Sequence, residues 1–313
     1  MGDFDRWKDR LHVYGVDLRH LPAVEAFARH VRDTYPRLDV LVNNAAQTVR
    51  RPPAYYRHLI DFELAPVDGL PAVLRPLLPD DAADTRALPP DDGGDALPVL
   101  AGVLATNRMA GRSSANSASL SQLALVDGDE RRDDDLFPPG ALDANGEQVD
   151  LRPANSWTMR DADVSAVELM EAHMANAVAP FLLTRGLRPL MESTPAKAKF
   201  VINVSSAEGR FTGVAKSGRH PHTNMAKAAL NMLTFTVARD YAKAGIYVNA
   251  VDPGWISLQH PAPQALAMTA GGFVPPFDTT DAAARVLDPV YTALNGGPRA
   301  SGKFFKDYQA VDW

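Results

Sequence analysis

A hydroxyl, an amine and two imidazoles crowd one short stretch of this 313-residue chain: His220, His222, Thr223 and Lys227, in the run HPHTNMAK. Thr223 and Lys227 stand four apart, so on a helix they share a face. An imidazole titrates near neutral pH without help. Pro221 stiffens the link between the histidines and can aim one ring at a substrate, which makes His222 a candidate for proton transfer. Ser205 and Ser206 lie upstream and Pro253-Gly254 downstream. A metal bound at His-x-His lacks an evident third ligand. Tyr55 and Tyr56, near Arg50, Arg51 and Arg57, are further candidate acids.

These groups must be positioned by the elements around them. KFVINV and IYVNAVD are short, apolar and β-branched, as buried strands are. Between them Leu230, Leu233, Val237 and Tyr241 recur at helical spacing, and Gly245 falls where a helix C-cap belongs. Strand, helix and strand this close make a parallel unit with a right-handed crossover. Chemistry in such sheets gathers at the carboxyl ends of the strands, where Ser205-Ser206 and Pro253-Gly254 both fall.

The pattern repeats near the start. LHVYGVDL reads as a strand ending at Asp17, and Val24, Phe27, Ala28 and Val31 line one face of a helix closed by Pro36. LDVLVNNAA reads as a second, fully buried strand. Residues 161–313 add a long helix face (Val164, Val167, Leu169, Met170, Met174, Val178, Phe181, Leu182), a helix over Asp281 to Leu294, and a last strand at Gly302-Lys303-Phe304-Phe305. Residues 50–160 differ. Rich in Asp, Pro and Gly, they read as an irregular insertion, a possible lid, with LPAVLRPLL and LPVLAGVLA as brief helices. The division expected is therefore 1–49, 50–160 and 161–313.

In this order the motifs resemble the short-chain dehydrogenase/reductase (SDR) family over residues 11–49 and 160–308. The resemblance implies an α/β, Rossmann-like, doubly wound and mostly parallel sheet. It makes Ser206 the serine that orients a carbonyl or hydroxyl, and Lys227 the lysine that holds the ribose of NAD or NADP. Asn176 becomes the asparagine whose helix kinks around a water joined to that lysine. Asp17 matches the aspartate on the adenine amino group. Asn43, Asn44, Ala45 and Ala46 match Asn-Asn-Ala-Gly beside the cofactor. Pro253, Gly254, Trp255 and Ile256 form the turn at the carboxamide, although Leu258 stands where the family has threonine. Asn-Asn-Ala-Ala on its own also fits a strand end capping its backbone.

Two departures stand out. No Gly-rich turn of the Thr-Gly-x-x-x-Gly-x-Gly kind precedes LHVYGVDL, and Gly93-Gly94 in the insertion is no substitute. The sheet reads as N-terminally incomplete, with LDVLVNNAA left as an apolar edge; the chain is either a piece of a longer protein or a reduced variant. Second, Thr223 replaces the family tyrosine. An aliphatic hydroxyl is far less acidic than a phenol, so the expectation is that Thr223 caps the helix and that its loss costs little activity.

Composition narrows the rest. The net charge of −6 gives no reason to expect nucleic acid or an anionic membrane, and an apolar content of 46% supports a substantial core. There are no cysteines. Neither a signal peptide nor a transmembrane stretch is apparent, so a cytoplasmic protein is expected. The resemblance implies a small-molecule substrate and a homo-oligomer, dimer or tetramer. Three readings follow: an NAD(P)-dependent oxidoreductase with a non-standard proton donor, a non-catalytic scaffold of the same fold, and a lyase or isomerase without net redox change.

Overall fold

The computed structural model describes residues 3–63, 69, 75–77, 121–131, 134–143, 146–212 and 215–313. Gly93-Gly94 and LPVLAGVLA lie outside these residues, as does all of LPAVLRPLL except a single 3-10 turn, Arg75–Leu77. The chain falls into two compact units: Met1–Ala26 with Arg51–Asp150, and Phe27–Arg50 with Leu151–Trp313.

The second unit carries the sheet. Its strands are β1 (Val40–Asn43), β2 (Lys199–Val204), β3 (Ile246–Asp252), β4 (Phe304–Lys306) and β5 (Gln309–Val311), in the order β1-β2-β3-β4-β5. The first four run parallel and β5 returns antiparallel. The α-helices among the described residues are α1 (Leu21–Thr34), α2 (Pro53–Glu63), α3 (Ala166–His173), α4 (Ala179–Ser193), α5 (Pro221–Lys243), α6 (Ala262–Ala270) and α7 (Thr279–Leu294). Among the described residues no helix is long and apolar enough to cross a membrane.

Alternation along β2 explains the layers. Phe200, Ile202 and Val204 point to one side, with Val251, and pack on Val286, Val290 and Ala293 of α7. Val201 points to the other side, with Ile246 and Val248, against Met191 of α4 and Ala238 and Tyr241 of α5. Side chains on successive strand residues alternate faces, so one β-branched run feeds two cores. Gly245, at φ +71, ends the reversal from α5 into β3, where a side chain would be strained.

Two strand expectations need correction. Residues 11–18 form no strand; Val13 N–H donates to Leu77 O at 2.9 Å, and no ladder follows. An extended segment becomes a strand only where a neighbour continues the ladder, and no ladder among the described residues includes this one. β1 is half-buried rather than fully buried, with only Asn43 out of solvent, because it pairs on one side alone.

The first unit opens its later part with α2, an element that the Asp- and Pro-rich composition of residues 50–160 did not suggest. Pro53 suits a first helical turn, where its missing N–H is no loss. Tyr55 on this helix is buried edge-on against Phe137, with the Arg51 guanidinium 4.7 Å from its ring centre and Asp150 paired to Arg51. Burial pushes the Tyr55 phenol up to about 12, which makes it a reluctant acid. Among the described residues from 121 to 150, turns and the isolated bridge Leu142–Gln148 prevail.

Candidate active site

One stripe of α5 faces the carboxyl end of β2. Lys227 Nζ donates to Val204 O at 2.9 Å, and the residue is only 6% exposed. Burial pushes this amine down to about 8, with Glu208 and Asp252 opposing. One turn on, Asn231 Oδ1 accepts from Ser205 Oγ at 2.6 Å while its Nδ2 donates to Gly209 O at 3.0 Å. Farther along, Thr234 Oγ1 accepts from Asn203 Nδ2 at 2.8 Å, and Asn203 Oδ1 accepts from Asn43 Nδ2 at 2.7 Å. A buried polar ladder therefore ties β1, β2 and α5 in one register. It closes tightly at Gly209: a Cβ there would lie 2.7 Å from Asn231 Nδ2 and 2.8 Å from the Lys227 carbonyl. Neither Asn231 nor Gly209 stood out in the sequence, although Asn231 continues the four-residue spacing from Thr223 and Lys227.

The start of α5 differs from the expectation. The helix begins at Pro221, and its N-cap is His220, in the left-handed region at φ 41 and ψ 49. Thr223 is thus the third helical residue and not the cap, and His220 O accepts its N–H at 3.1 Å. Proline is pre-set for a first helical turn, so the helix starts three residues earlier than a threonine cap would place it. The Thr223 side chain is left buried, and Oγ1 has no hydrogen-bond partner among the described residues. His220 stacks flat on Trp157, with centroids 3.9 Å apart, and its Nδ1 lies 3.2 Å from Asn224 Oδ1.

Asn176 sits where the chain between α3 and α4 widens into a π turn, Met174–Val178. Its amide grips the loop after β1: Oδ1 accepts from Gln47 N at 2.6 Å and Nδ2 donates to Gln47 O at 2.9 Å. The π turn falls where the resemblance implies a kinked helix, and the Asn176 side chain holds that loop. Gln47 Nε2 and Arg50 Nε both donate to Glu171 Oε2 at 3.1 Å. Asn44, Ala45 and Ala46, just ahead of Gln47, are exposed.

A second buried carboxyl lies on α3. Glu168 Oε1 accepts a short hydrogen bond from Ser156 Oγ and lies 3.6 Å from His222 Nε2. Burial pushes the Glu168 carboxyl up, the nearby Glu171 adds to this, and Ser156, Arg50 and Arg152 oppose it. Burial, with the neighbouring His220 and His173, pushes the His222 imidazole down to about 4. His222 Nδ1 is buried without a partner among the described residues. Sequence reasoning missed both acids because a glutamate on an apolar helix usually faces water.

The remaining predicted residues are placed as follows. Ser206 is half-buried and opens the 3-10 turn Ala207–Gly209 beyond β2. Pro253, Gly254, Trp255 and Ile256 follow β3. Gly254 takes φ +87 against the Phe277 ring, and its N–H donates to Asp252 Oδ1 at 2.9 Å. Trp255 is exposed beside Phe273, and its indole donates to Ser257 O at 2.9 Å. Asp17 belongs to the first unit, where Arg19 takes both its oxygens.

Neighbouring parallel strands bring their carboxyl ends side by side, so Asn44–Ala46, Ser206, Lys227 and the 253–256 turn share one edge of the sheet. That edge offers a buried ammonium, hydroxyls and a glycine turn, a donor set suited to the ribose and nicotinamide half of a dinucleotide. No Gly-rich phosphate turn accompanies it in this sequence.

The family described as enoyl-(acyl carrier protein) reductase matches residues 153–267. An uncharacterized protein, R665, of Acanthamoeba polyphaga mimivirus is 31% identical over 187 residues, which cover 55% of this chain and 39% of that protein. The short chain dehydrogenase pgmD of Aspergillus terreus is 31% identical over 121 residues, covering 38% and 35% respectively. The chain thus spans well under half of either relative. A short-chain dehydrogenase structure from Streptomyces avermitilis aligns over 98% of this chain and 74% of that one, at 16% identity and a TM-score of 0.48. Over residues 153–267 this chain is similar to the short-chain dehydrogenase/reductase superfamily.

Proposed function

We propose that the protein is an NAD(P)-dependent oxidoreductase acting on a carbonyl or alcohol small molecule. The observation that supports this best is the Lys227 ammonium, held by Val204 O at the carboxyl end of β2. A cation buried at that depth is costly and is usually retained for function. Lys227 and the residues Asn44, Ala45 and Ala46 would hold the cofactor, with the backbone at Pro253–Ile256. When bound, the nicotinamide supplies or receives the hydride. Ser206 orients the substrate oxygen, and a group other than a tyrosine phenol handles the proton.

We further propose a cytoplasmic homo-oligomer. Met170, Phe181, Met225, Met232 and Phe235 leave apolar side chains exposed on α3, α4 and α5, a set that a second copy would cover. The test of the central reading is titration with NADH and NADPH followed by tryptophan fluorescence, then hydride transfer with panels of carbonyls and alcohols. Saturable binding and turnover that vanishes in Lys227→Met are expected. Failure of this chain, and of any longer chain containing it, to bind either nucleotide at millimolar concentration would sink the enzyme reading in favour of a scaffold.

A further inference from the structure

Resting on that oxidoreductase reading, we propose that Glu168, His222 and Thr223 form a buried proton relay that takes the place of the missing phenol. Glu168 is the proton store and orients His222, and the Thr223 hydroxyl makes the hand-off. Three observations carry it.

First, two titratable side chains face each other out of water: Glu168 Oε1 and His222 Nε2 are 3.6 Å apart, and both residues are almost fully buried. Second, the face of Glu168 is built. Ser156 Oγ donates to the same oxygen, and Ser156 Oγ itself accepts the Arg50 N–H at 2.7 Å. A carboxyl held this way cannot swing out to solvent. Third, the atoms on the far side of the pair are the ones left open. His222 Nδ1 and Thr223 Oγ1 are both buried without partners among the described residues. Interior polar atoms are nearly always satisfied, so adjacent residues that both break the rule mark a place kept for hydrogen bonds made later.

Direction follows from the helix. Thr223 lies one turn before Lys227 on the stripe that faces the end of β2, whereas His222 faces α3 and Glu168. The charged and titratable groups around the pair are Arg50, Arg152 and Glu171 on the Glu168 side, with His173 and His220 on the His222 side. Burial opposes the charged forms of both partners, pushing the carboxyl up and the imidazole down.

The step balances. The Glu168 carboxyl proton moves to His222 Nε2, and the proton on Nδ1 passes to Thr223 Oγ1 through a water taken up between these two open atoms, which accepts one proton and gives up another. The original Thr223 hydroxyl proton passes to a carbonyl oxygen that becomes an alcohol as its carbon takes up hydride from the nicotinamide. Thr223 never ionises, because a hydroxyl both accepts and donates. Glu168 is left as carboxylate and is recharged from solvent. Glu168 is here a positioning residue that works through His222, so its test needs a readout that a structural role would not move.

That readout is the ring tautomer, since passing a proton through an imidazole changes which nitrogen bears it. In long-range proton–nitrogen spectra of histidine-labelled protein, His222 is expected to carry its proton on Nδ1 while Glu168 is protonated. As rising pH ionises Glu168, the proton should move to Nε2. Glu168→Gln should abolish that pH-dependent exchange. In turnover, Thr223→Val should lower the rate by about a hundredfold, and Thr223→Ser should restore most of it. Glu168→Gln should also remove the alkaline limb of the reduction rate. A His222 tautomer indifferent to pH, or full turnover in Thr223→Val, would overturn the relay. Absence of nucleotide binding in the parent protein would instead bring down the oxidoreductase reading beneath it.

Discussion

The first turn of α5 and the turns that follow it are equally buried and are treated in opposite ways. From Lys227 onward the polar atoms facing β2 find partners: Val204 O, Ser205 Oγ, Gly209 O and Asn203 Nδ2. In the first turn, His222 Nδ1 and Thr223 Oγ1 find none among the described residues. A satisfied interior group fixes register and rigidifies the core, whereas an unsatisfied one costs stability and is kept where later binding will satisfy it. On the relay proposed above, the same helix acts as scaffold at one end and as reacting surface at the other.

The sharpest way to break this comparison is Lys227→Met, which belongs to both halves. It should reduce turnover at least about a hundredfold, the loss expected of a group acting on the transition state. The fold should survive. The folded Lys227 lies below its unfolded value of 10.5, so its stability contribution is whole above that value and lost as pH falls through about 8. Methionine escapes that loss, and the thermal midpoint at neutral pH should equal or exceed the parent's. A collapse of the midpoint would show that the ammonium is part of the scaffold alone.

Acid should expose the first turn next. His222 is depressed from 6.5 to about 4, so its contribution is complete above the unfolded value and disappears as pH falls between the two. That amounts to about 3 kcal/mol. His222→Gln should flatten this part of a denaturation series run against pH. Gly209→Ala addresses the satisfied end: its new methyl meets Asn231 Nδ2 and the backbone of Lys227 at under 3 Å. A loss of about 1–3 kcal/mol is expected in chemical denaturation.

The finest contrast uses one substitution at two places. Thr234→Val removes a hydroxyl that donates to Leu230 O and accepts from Asn203, so it should cost about 1–2 kcal/mol. Thr223→Val removes one with no partner and should stabilise the protein by about 1 kcal/mol. Equal changes at the two positions would erase the distinction drawn between the two ends of α5.

Sequence patterning was a good guide wherever a segment's own periodicity decides its structure. KFVINV, the Leu230–Tyr241 face and IYVNAVD became β2, α5 and β3, because a buried run flanked by an amphipathic helix has few other solutions. Residues 11–18 failed for the opposite reason, since extended backbone needs a neighbour that local sequence does not specify. The site was legible where spacing encodes it, as at Thr223 and Lys227. It was illegible where tertiary packing decides: nothing local in ELMEAH says that Glu168 and Glu171 point inward. The start of α5 was misread because a left-handed histidine cap has no sequence signal, unlike glycine or asparagine.

The π turn at Met174–Val178 also bears on how this chain tolerates change in length. A π turn is equivalent to one extra residue accommodated within a continuous helix. Deleting a single residue there should let the segment relax to ordinary α-helix without breaking it. Each α-helical residue turns the axis by about 100°, a rotation that the wide turn takes up, so α3 and α4 should keep their phase after the deletion. Glu168 should stay beside His222, while Asn176, carried on the widened turn itself, should lose Gln47. A change of one residue in the length of this segment should therefore be felt at the loop after β1 and spare the helices on either side.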